Sequence, residues 1–250
     1  MLTKTMKKDV FKYPDTNSSR AEIEYLNRKF AGQKIGIIGL GGTGSYILDL
    51  VSKTPVEEIH IYDGDIFELH SAFRAPGATP VEKFDSVETL MKVDYYHEIY
   101  SRMHSGIFAH PEYITMDNIG NFSGFNFVFM SIDDNEARCR IVNGLIRLEV
   151  PFIDVGLGVN KVADSLISSV RVTHGSTSKN DHLSKRFGEA QSQDNEYAPN
   201  IQIADLNCLN ATLAVIKWKK ILGFYQDLKQ EHNNLYFTTT GKMLNEDFTA

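Results

Sequence analysis

The feature that most constrains this chain is a short apolar run ending in a cluster of glycines. Lys34-Ile-Gly-Ile-Ile38 leads directly into Gly39-Leu-Gly-Gly-Thr-Gly44, and a helical stretch follows from about Thr43 to Ser52. A continuous apolar run of that kind, bounded by glycine, reads as a strand buried on both faces. Gly39, Gly41 and Gly44 fall at the G-x-G-x-x-G spacing, with Gly42 beside them. Glycine there permits a tight turn and lets the backbone approach a phosphate, which the positive end of the following helix stabilises. The next apolar run, Ile59-His-Ile-Tyr62, stops at Asp63, a position from which a carboxylate reaches a ribose hydroxyl. Strand, glycines, helix, strand and acid in this order predict a nucleotide site. The competing reading is that the glycines serve only close packing.

The same alternation continues along the chain. Lys92–Met103 reads as a helix, Tyr113–Thr115 as a short strand, Phe127–Met130 as a buried strand, Asn135–Leu148 as a helix and Phe152–Val155 as another strand. Short apolar runs alternating with amphipathic helices predict an α/β fold: a doubly wound, mostly parallel, Rossmann-like sheet. Ahead of it lie a polar arm, Met1–Asn17, and a short helix around Ser19–Phe30. Beyond Val162 the pattern changes to a strand at Leu166–Val172, and then to a polar stretch, Gly175–Pro199, without apolar period. That stretch reads as an exposed crossover loop, so its border histidines, His174 and His182, read as solvated. Ile201–Leu222 carries Leu206, Leu209, Leu213 and Ile216 at helical spacing and ends at Gly223, a C-terminal cap. Tyr236–Thr240 reads as a last strand, which makes the C-terminal part an antiparallel extension. With no linker in view, residues 1–250 form one domain. Its parts are an arm and helix (1–33), a nucleotide-binding core (34–160), the crossover loop (175–199) and a C-terminal helix and strand (200–250).

The composition narrows the function. A net charge of −6 over 250 residues argues against nucleic acid as the main partner, because neutralising phosphates takes a basic surface. The two cysteines, Cys139 and Cys208, form no CxxC pair, so neither a zinc site nor a disulfide framework is expected, as suits a reducing cytoplasm. Met1–Asp9 lacks the apolar stretch of a signal peptide, and no run of about eighteen apolar residues offers a membrane span. A cytoplasmic protein without membrane contact is expected.

The glycine loop does not choose between a nicotinamide cofactor and ATP. The residues after it do: Asp63-Gly-Asp65, Arg74, Lys92 and Asp133-Asp134 follow at the ends of successive elements. Cations that offset phosphate charge, together with acids that hold a hard metal, suit a triphosphate with Mg²⁺. An acid directly before a helix is also a common N-cap, so Asp133 has a structural reading as well.

At these residues the chain resembles the ThiF/MoeB/HesA family, the adenylation domains of ubiquitin-activating-type enzymes, from about Arg20 to Gly223. The doubled glycine matches Gly39-Leu-Gly-Gly-Thr-Gly44, the ribose-binding acid matches Asp63 and the second acid Asp65. The family's phosphate-binding arginine matches Arg74, although the asparagine three residues before it is Ser71 here. Its lysine matches Lys92, with Lys83 as the competitor across a long intervening loop. Its metal-binding aspartate, in a D-N-x-x-A-R pattern, matches Asp133 in Ser131-Ile-Asp-Asp-Asn-Glu-Ala-Arg138, and its N-terminal arginine, often donated across a homodimer, matches Arg20. The resemblance implies an adenylyltransferase that uses ATP and Mg²⁺, with Arg74, Lys92, Asp133 and Arg20 in catalysis. It implies a homodimer and a ubiquitin-like or sulfur-carrier protein as the carboxylate substrate. Many relatives form a thioester on a cysteine in the crossover loop; Gly175–Pro199 contains none, and Cys208 falls in a helix, where a thiol reads as a small core hydrophobe. The alternatives are activation of a small molecule or modified nucleoside, a nicotinamide-dependent oxidoreductase, and a non-catalytic scaffold subunit.

Overall fold

Residues 9–85, 89–187 and 201–249 are described in the computed structural model of the chain. The chain enters through α1 (Thr16–Arg20) and a 3-10 turn at Glu24–Lys29, in place of the single helix expected over 19–30. Glu22 between them sits at φ 57°, a left-handed conformation that an α-helix cannot continue through.

Five strands then lie parallel in the order β3-β2-β1-β4-β5. They are β1 (Lys34–Ile38), β2 (Glu58–Tyr62), β3 (Ile107–His110), β4 (Phe127–Met130) and β5 (Phe152–Val162). Their side chains alternate between two apolar layers. Ile37, Ile61 and Phe129 join α2 (Gly42–Val51) and α7 (Ala204–Ile221) through Ile47, Leu48 and Trp218. Ile38, Tyr62 and Val128 join α5 (Asn135–Arg147) through Ile141 and Leu145. Both faces are covered, which is why these strands read as continuous apolar runs. The remaining strands, β6 (Ser165–Gly175), β7 (Glu231–Phe237) and β8 (Lys242–Phe248), extend the sheet antiparallel beyond β5.

Several expectations shift. The third strand is 107–110, not 113–115: Ile107–His110 pairs with β2, and the chain then leaves the sheet. The single last strand at 236–240 is a hairpin of β7 and β8, turned at Gly241 with φ 63°. Part of the expected loop is ordered, because α6 (Leu183–Phe187) buries Leu183 against the α5 layer. The rest of it, 188–199, lies outside the described residues. On α7 the buried face is Asn207, Asn210, Ala211, Ala214 and Trp218, and Ile216 faces solvent. Two short helices, α3 (Leu69–Ala72) and α4 (Lys92–Tyr100), complete the described helices. Among the described residues no helix is long and apolar enough to cross a membrane.

Candidate nucleotide-binding site

β1 has β2 on one side and β4 on the other, so the chain departs in opposite directions from the middle of the sheet. Such a switch point leaves a crevice at the C-terminal ends of the strands. Here it is a cleft of about 1510 Å³ lined by Gly39, Gly41, Gly42, Asp63, Arg74, Lys92 and Asp133, and extending along β5 and β6. Ordinary small-molecule sites occupy ~300–1,000 Å³, so this cleft has space for a nucleotide and a second reactant.

The four glycines divide by what surrounds them. A Cβ on Gly44 would lie 1.8 Å from the Gly39 carbonyl oxygen, and one on Gly39 would lie 2.2 Å from that of Ser131. Gly39 also needs its φ of 86°. A Cβ on Gly42 would strike the Asn207 amide of α7 at 2.0 Å. These three are glycines because the chain packs against itself. Gly41 differs: nothing lies within 4 Å of its would-be Cβ, and its φ of −68° is one that any residue adopts. It caps α2 without a side-chain hydrogen bond, so the first-turn N–H groups of that helix have no cap from a side chain. Gly41 is the point at which the backbone is bare toward the cleft.

The acids and Lys92 are locked together beside it. The buried Asp63 carboxylate accepts from the Leu40 N–H at 2.6 Å and the Asp65 N–H at 2.8 Å. Burial raises its pKa, although Lys92 and both backbone donors oppose the shift. A short antiparallel bridge between Ile66 and Met91 brings the start of α4 back to this point. Lys92 Nζ therefore stands 2.5 Å from Asp65 and 3.6 Å from Asp63, with its side chain 8% exposed. Burial raises the Asp65 pKa too, but hydrogen bonds from Lys92 and Tyr113 outweigh it and the net shift is downward. Lys83 instead pairs with Glu98 on the surface. Of the two candidate lysines, Lys92 is the one in the cleft.

Arg74 lines the cleft, and its buried Nε has no hydrogen-bond partner. Its Nη2 meets His70 Nε2 at 3.3 Å, and a guanidinium charge at the cleft fits an incoming anion. Asp133 is exposed at the rim, while its neighbour Asp134 caps α5 by accepting from the Ala137 N–H at 2.9 Å. The cap position thus belongs to Asp134, and Asp133 faces the cleft. No group of three or more His, Cys, Asp and Glu side chains forms a metal cage among the described residues. Mg²⁺ needs none when one carboxylate and a polyphosphate share it.

The sequence reading missed the carboxylate behind Arg138 and Arg171, two arginines that line the cleft. Asp154 of β5 is fully buried between Arg138 Nε at 3.1 Å and Arg171 Nη2 at 2.7 Å. Only the Arg171 contact is aligned as a hydrogen bond; Arg138 meets Asp154 as a charge contact. Asn207 accepts from Thr43 Oγ1 at 3.0 Å, and Asn210 donates to the Gly156 carbonyl at 2.9 Å, so α7 also reaches the cleft. A charged residue inside the apolar run Phe152-Ile-Asp-Val155 was the available signal for Asp154.

Other expected residues lie elsewhere. Ser71 is buried on α3 with its hydroxyl unpartnered, Gly44 is buried beneath the loop, and Arg20 is exposed on α1; none of them lines the cleft. His174 and His182 are buried, not solvated: His174 stacks on His232, His182 meets His232 edge-on, and both His182 and His232 bond to the His174 carbonyl oxygen. Cys208 is half-buried, as is Cys139, whose thiol donates to the Phe187 carbonyl at 3.3 Å.

The sequence matches the model of the ThiF family over residues 20–243. This chain belongs to the ThiF family. Members of the ThiF family are ATP-dependent adenylyltransferases. No curated protein matches the sequence. Among solved structures, PaaA superposes with a TM-score of 0.68 at 14% identity, over 100% of this chain and 79% of its own. E. coli MccB with ATP gives 0.66 at 16% identity, over 94% of this chain and 72% of its own. E. coli TcdA, a tRNA N6-threonylcarbamoyladenosine dehydratase, gives 0.61 at 16% identity, over 84% of this chain and 93% of its own. At these identities the likeness is one of fold: a Rossmann-like ThiF sheet with an antiparallel C-terminal part.

Proposed function

We propose that this chain is a single-domain adenylyltransferase that activates the C-terminal carboxylate of a ubiquitin-like or sulfur-carrier protein with ATP. The observation that carries the reading is the bare backbone at Gly41 opening onto the same cleft as Asp63, Arg74, Lys92 and Asp133. Asp63 would take the ribose, and the N–H groups at the start of α2 the phosphates. Arg74 and Lys92 would offset the charge that grows on the phosphates in the transition state. Asp133 would hold Mg²⁺, which neutralises part of the triphosphate charge when bound. A carboxylate oxygen of the substrate attacks the α-phosphorus, the bond to the bridging oxygen of the β-phosphate breaks, and pyrophosphate leaves. Catalysis is then positioning and charge stabilisation, with no covalent step on the enzyme. The half-buried thiols support a reaction that ends at the acyl-adenylate.

The space left in the cleft beside a nucleotide supports a second substrate bound at the same time. MccB, of the same fold, was solved with AMPCPP and MccA together. The chain acts as a homodimer in which Arg20, which does not line its own cleft, completes the neighbour's site. The fold of TcdA favours a second reading, in which the activated group belongs to a modified nucleoside. Calorimetry with Mg²⁺–ATP and with NAD tests the nucleotide: tight NAD binding without ATP binding sinks the proposal. ATP–pyrophosphate exchange with a carrier protein ending in glycine, set against exchange with modified tRNA, separates the two substrate readings.

A further inference from the structure

The segment 112–117 that follows β3 lines the cleft, and within it Tyr113 is 62% exposed. That is an unusual place for so large a ring in a site otherwise built of acids and cations. The ring is nonetheless fixed. A Cβ on Gly64 would lie 2.5, 2.6 and 2.8 Å from three of its carbons, Cε2, Cδ2 and Cζ. Such similar separations mean that one face of the ring lies flat on the Gly64 backbone, an approach that only glycine allows. At its far end the hydroxyl donates to the Asp65 carboxylate, which Lys92 holds at 2.5 Å. This bond to a carboxylate pushes the hydroxyl pKa up to about 12, so it stays protonated and the tether holds at neutral pH. One face is thus seated and the edge pinned, which leaves the other face to the cleft.

Gly64 lies between Asp63 and Asp65, so the seated ring is one residue from the carboxylate assigned to the ribose. A base leaves its ribose sideways, toward whatever flanks that carboxylate. Ile38, Ile114 and Ile132 line the same cleft and supply apolar side chains for a flat heterocycle. We propose that Tyr113 is the platform on which the adenine of ATP stacks, and that it sets the preference for a purine. This inference rests on the reading of the cleft as an ATP site.

The test is calorimetry of wild type, Tyr113→Ala and Tyr113→Phe with Mg²⁺–ATP, Mg²⁺–CTP and inorganic tripolyphosphate. Base–aromatic stacking measured by alanine substitution corresponds to a loss of about 5- to 150-fold in affinity. Tyr113→Ala is expected to lose that much for ATP and to narrow the gap between ATP and CTP. Tyr113→Phe keeps the ring and is expected to stay within about threefold of wild type, the size of a surface effect. Tripolyphosphate carries no base and is expected to bind all three proteins alike. The platform is refuted if Tyr113→Ala binds ATP as wild type does or more tightly, or loses tripolyphosphate by the same factor. It is equally refuted if Tyr113→Phe fails as badly as alanine, since the tether and not the ring would then matter. Wild type that binds neither ATP nor tripolyphosphate sinks the ATP reading and the platform with it, a result distinct from any of those.

Discussion

Substituting Gly41 by alanine separates binding from folding more cleanly than any other change in the loop. The added methyl meets nothing within 4 Å, and a φ of −68° suits alanine. Fewer unfolded conformations favour the variant by about 0.4–1 kcal/mol. Alanine is a poorer N-cap than glycine by a comparable ~0.5–1 kcal/mol. The two offset, so Tm is expected to move by no more than about 4 °C, since ~1 kcal/mol shifts a domain of this size by about 2–4 °C. Binding is another matter. The methyl projects from the backbone that a phosphate must approach, and hydrogen bonds to a charged group contribute about 1.5–3 kcal/mol each. Loss of one such bond weakens Mg²⁺–ATP by roughly 10- to 150-fold. Gly44→Ala is the contrast: its methyl would fall 1.8 Å from the Gly39 oxygen, so the loop must shift and stability drops along with binding. Thermal unfolding and calorimetry on the two variants decide the matter. Wild-type ATP affinity in Gly41→Ala would falsify the phosphate path, and a large fall in its Tm would show that the glycine is structural after all.

Three further outcomes are expected. Asp133→Ala should lower ATP–pyrophosphate exchange by ~10²–10³, the range for losing one preorganised charge-stabilising group, while Cys208→Ala leaves exchange intact; a thiol-sensitive adduct that disappears in Cys208→Ala would overturn the thioester-free reading. Mixing Arg20→Ala with Asp133→Ala should restore exchange that neither has alone, because hybrid dimers contain one complete site; no recovery in a mixture shown by light scattering to be dimeric removes Arg20 from the mechanism. Burial lowers the pKa of His174 to about 3 and lowers those of His182 and His232, so each is harder to protonate in the folded chain than in the unfolded chain, where protonation falls near 6.5. Their contribution is fully present above pH ~6.5 and is lost as pH falls below it, by up to ~1.4 kcal/mol per pH unit for each fully depressed group. Urea unfolding of wild type and His174→Phe between pH 7 and 5 should show the flatter slope in the variant, and identical slopes would remove His174 from the account.

The parallel half of the fold, apart from β3, was legible because its signals are local. Ile35, Ile37 and Ile38 form an apolar run, the glycines punctuate it, and Asp63 ends the next run, all within one β1-α2-β2 unit. The same is true of α5, whose cap and apolar face lie within a few residues of each other. What the sequence alone determined was therefore the sheet type, the glycine-rich loop and the candidate acids and cations. Tertiary structure decided which of them meet. Lys92 reaches Asp65 only because the Ile66–Met91 bridge loops out the residues between, so no spacing rule chooses it over Lys83. Gly42 is confined by Asn207 from the far end of the chain, and Asp154 is buried between arginines of α5 and β6. The histidines of the polar stretch are buried because β6, β7 and the approach to α6 converge on them, a convergence their polar neighbours do not encode. Periodicity records which face of an element is buried; it carries no record of what arrives from a distant element to cover it, because that partner is fixed only when strands far apart in the chain pair.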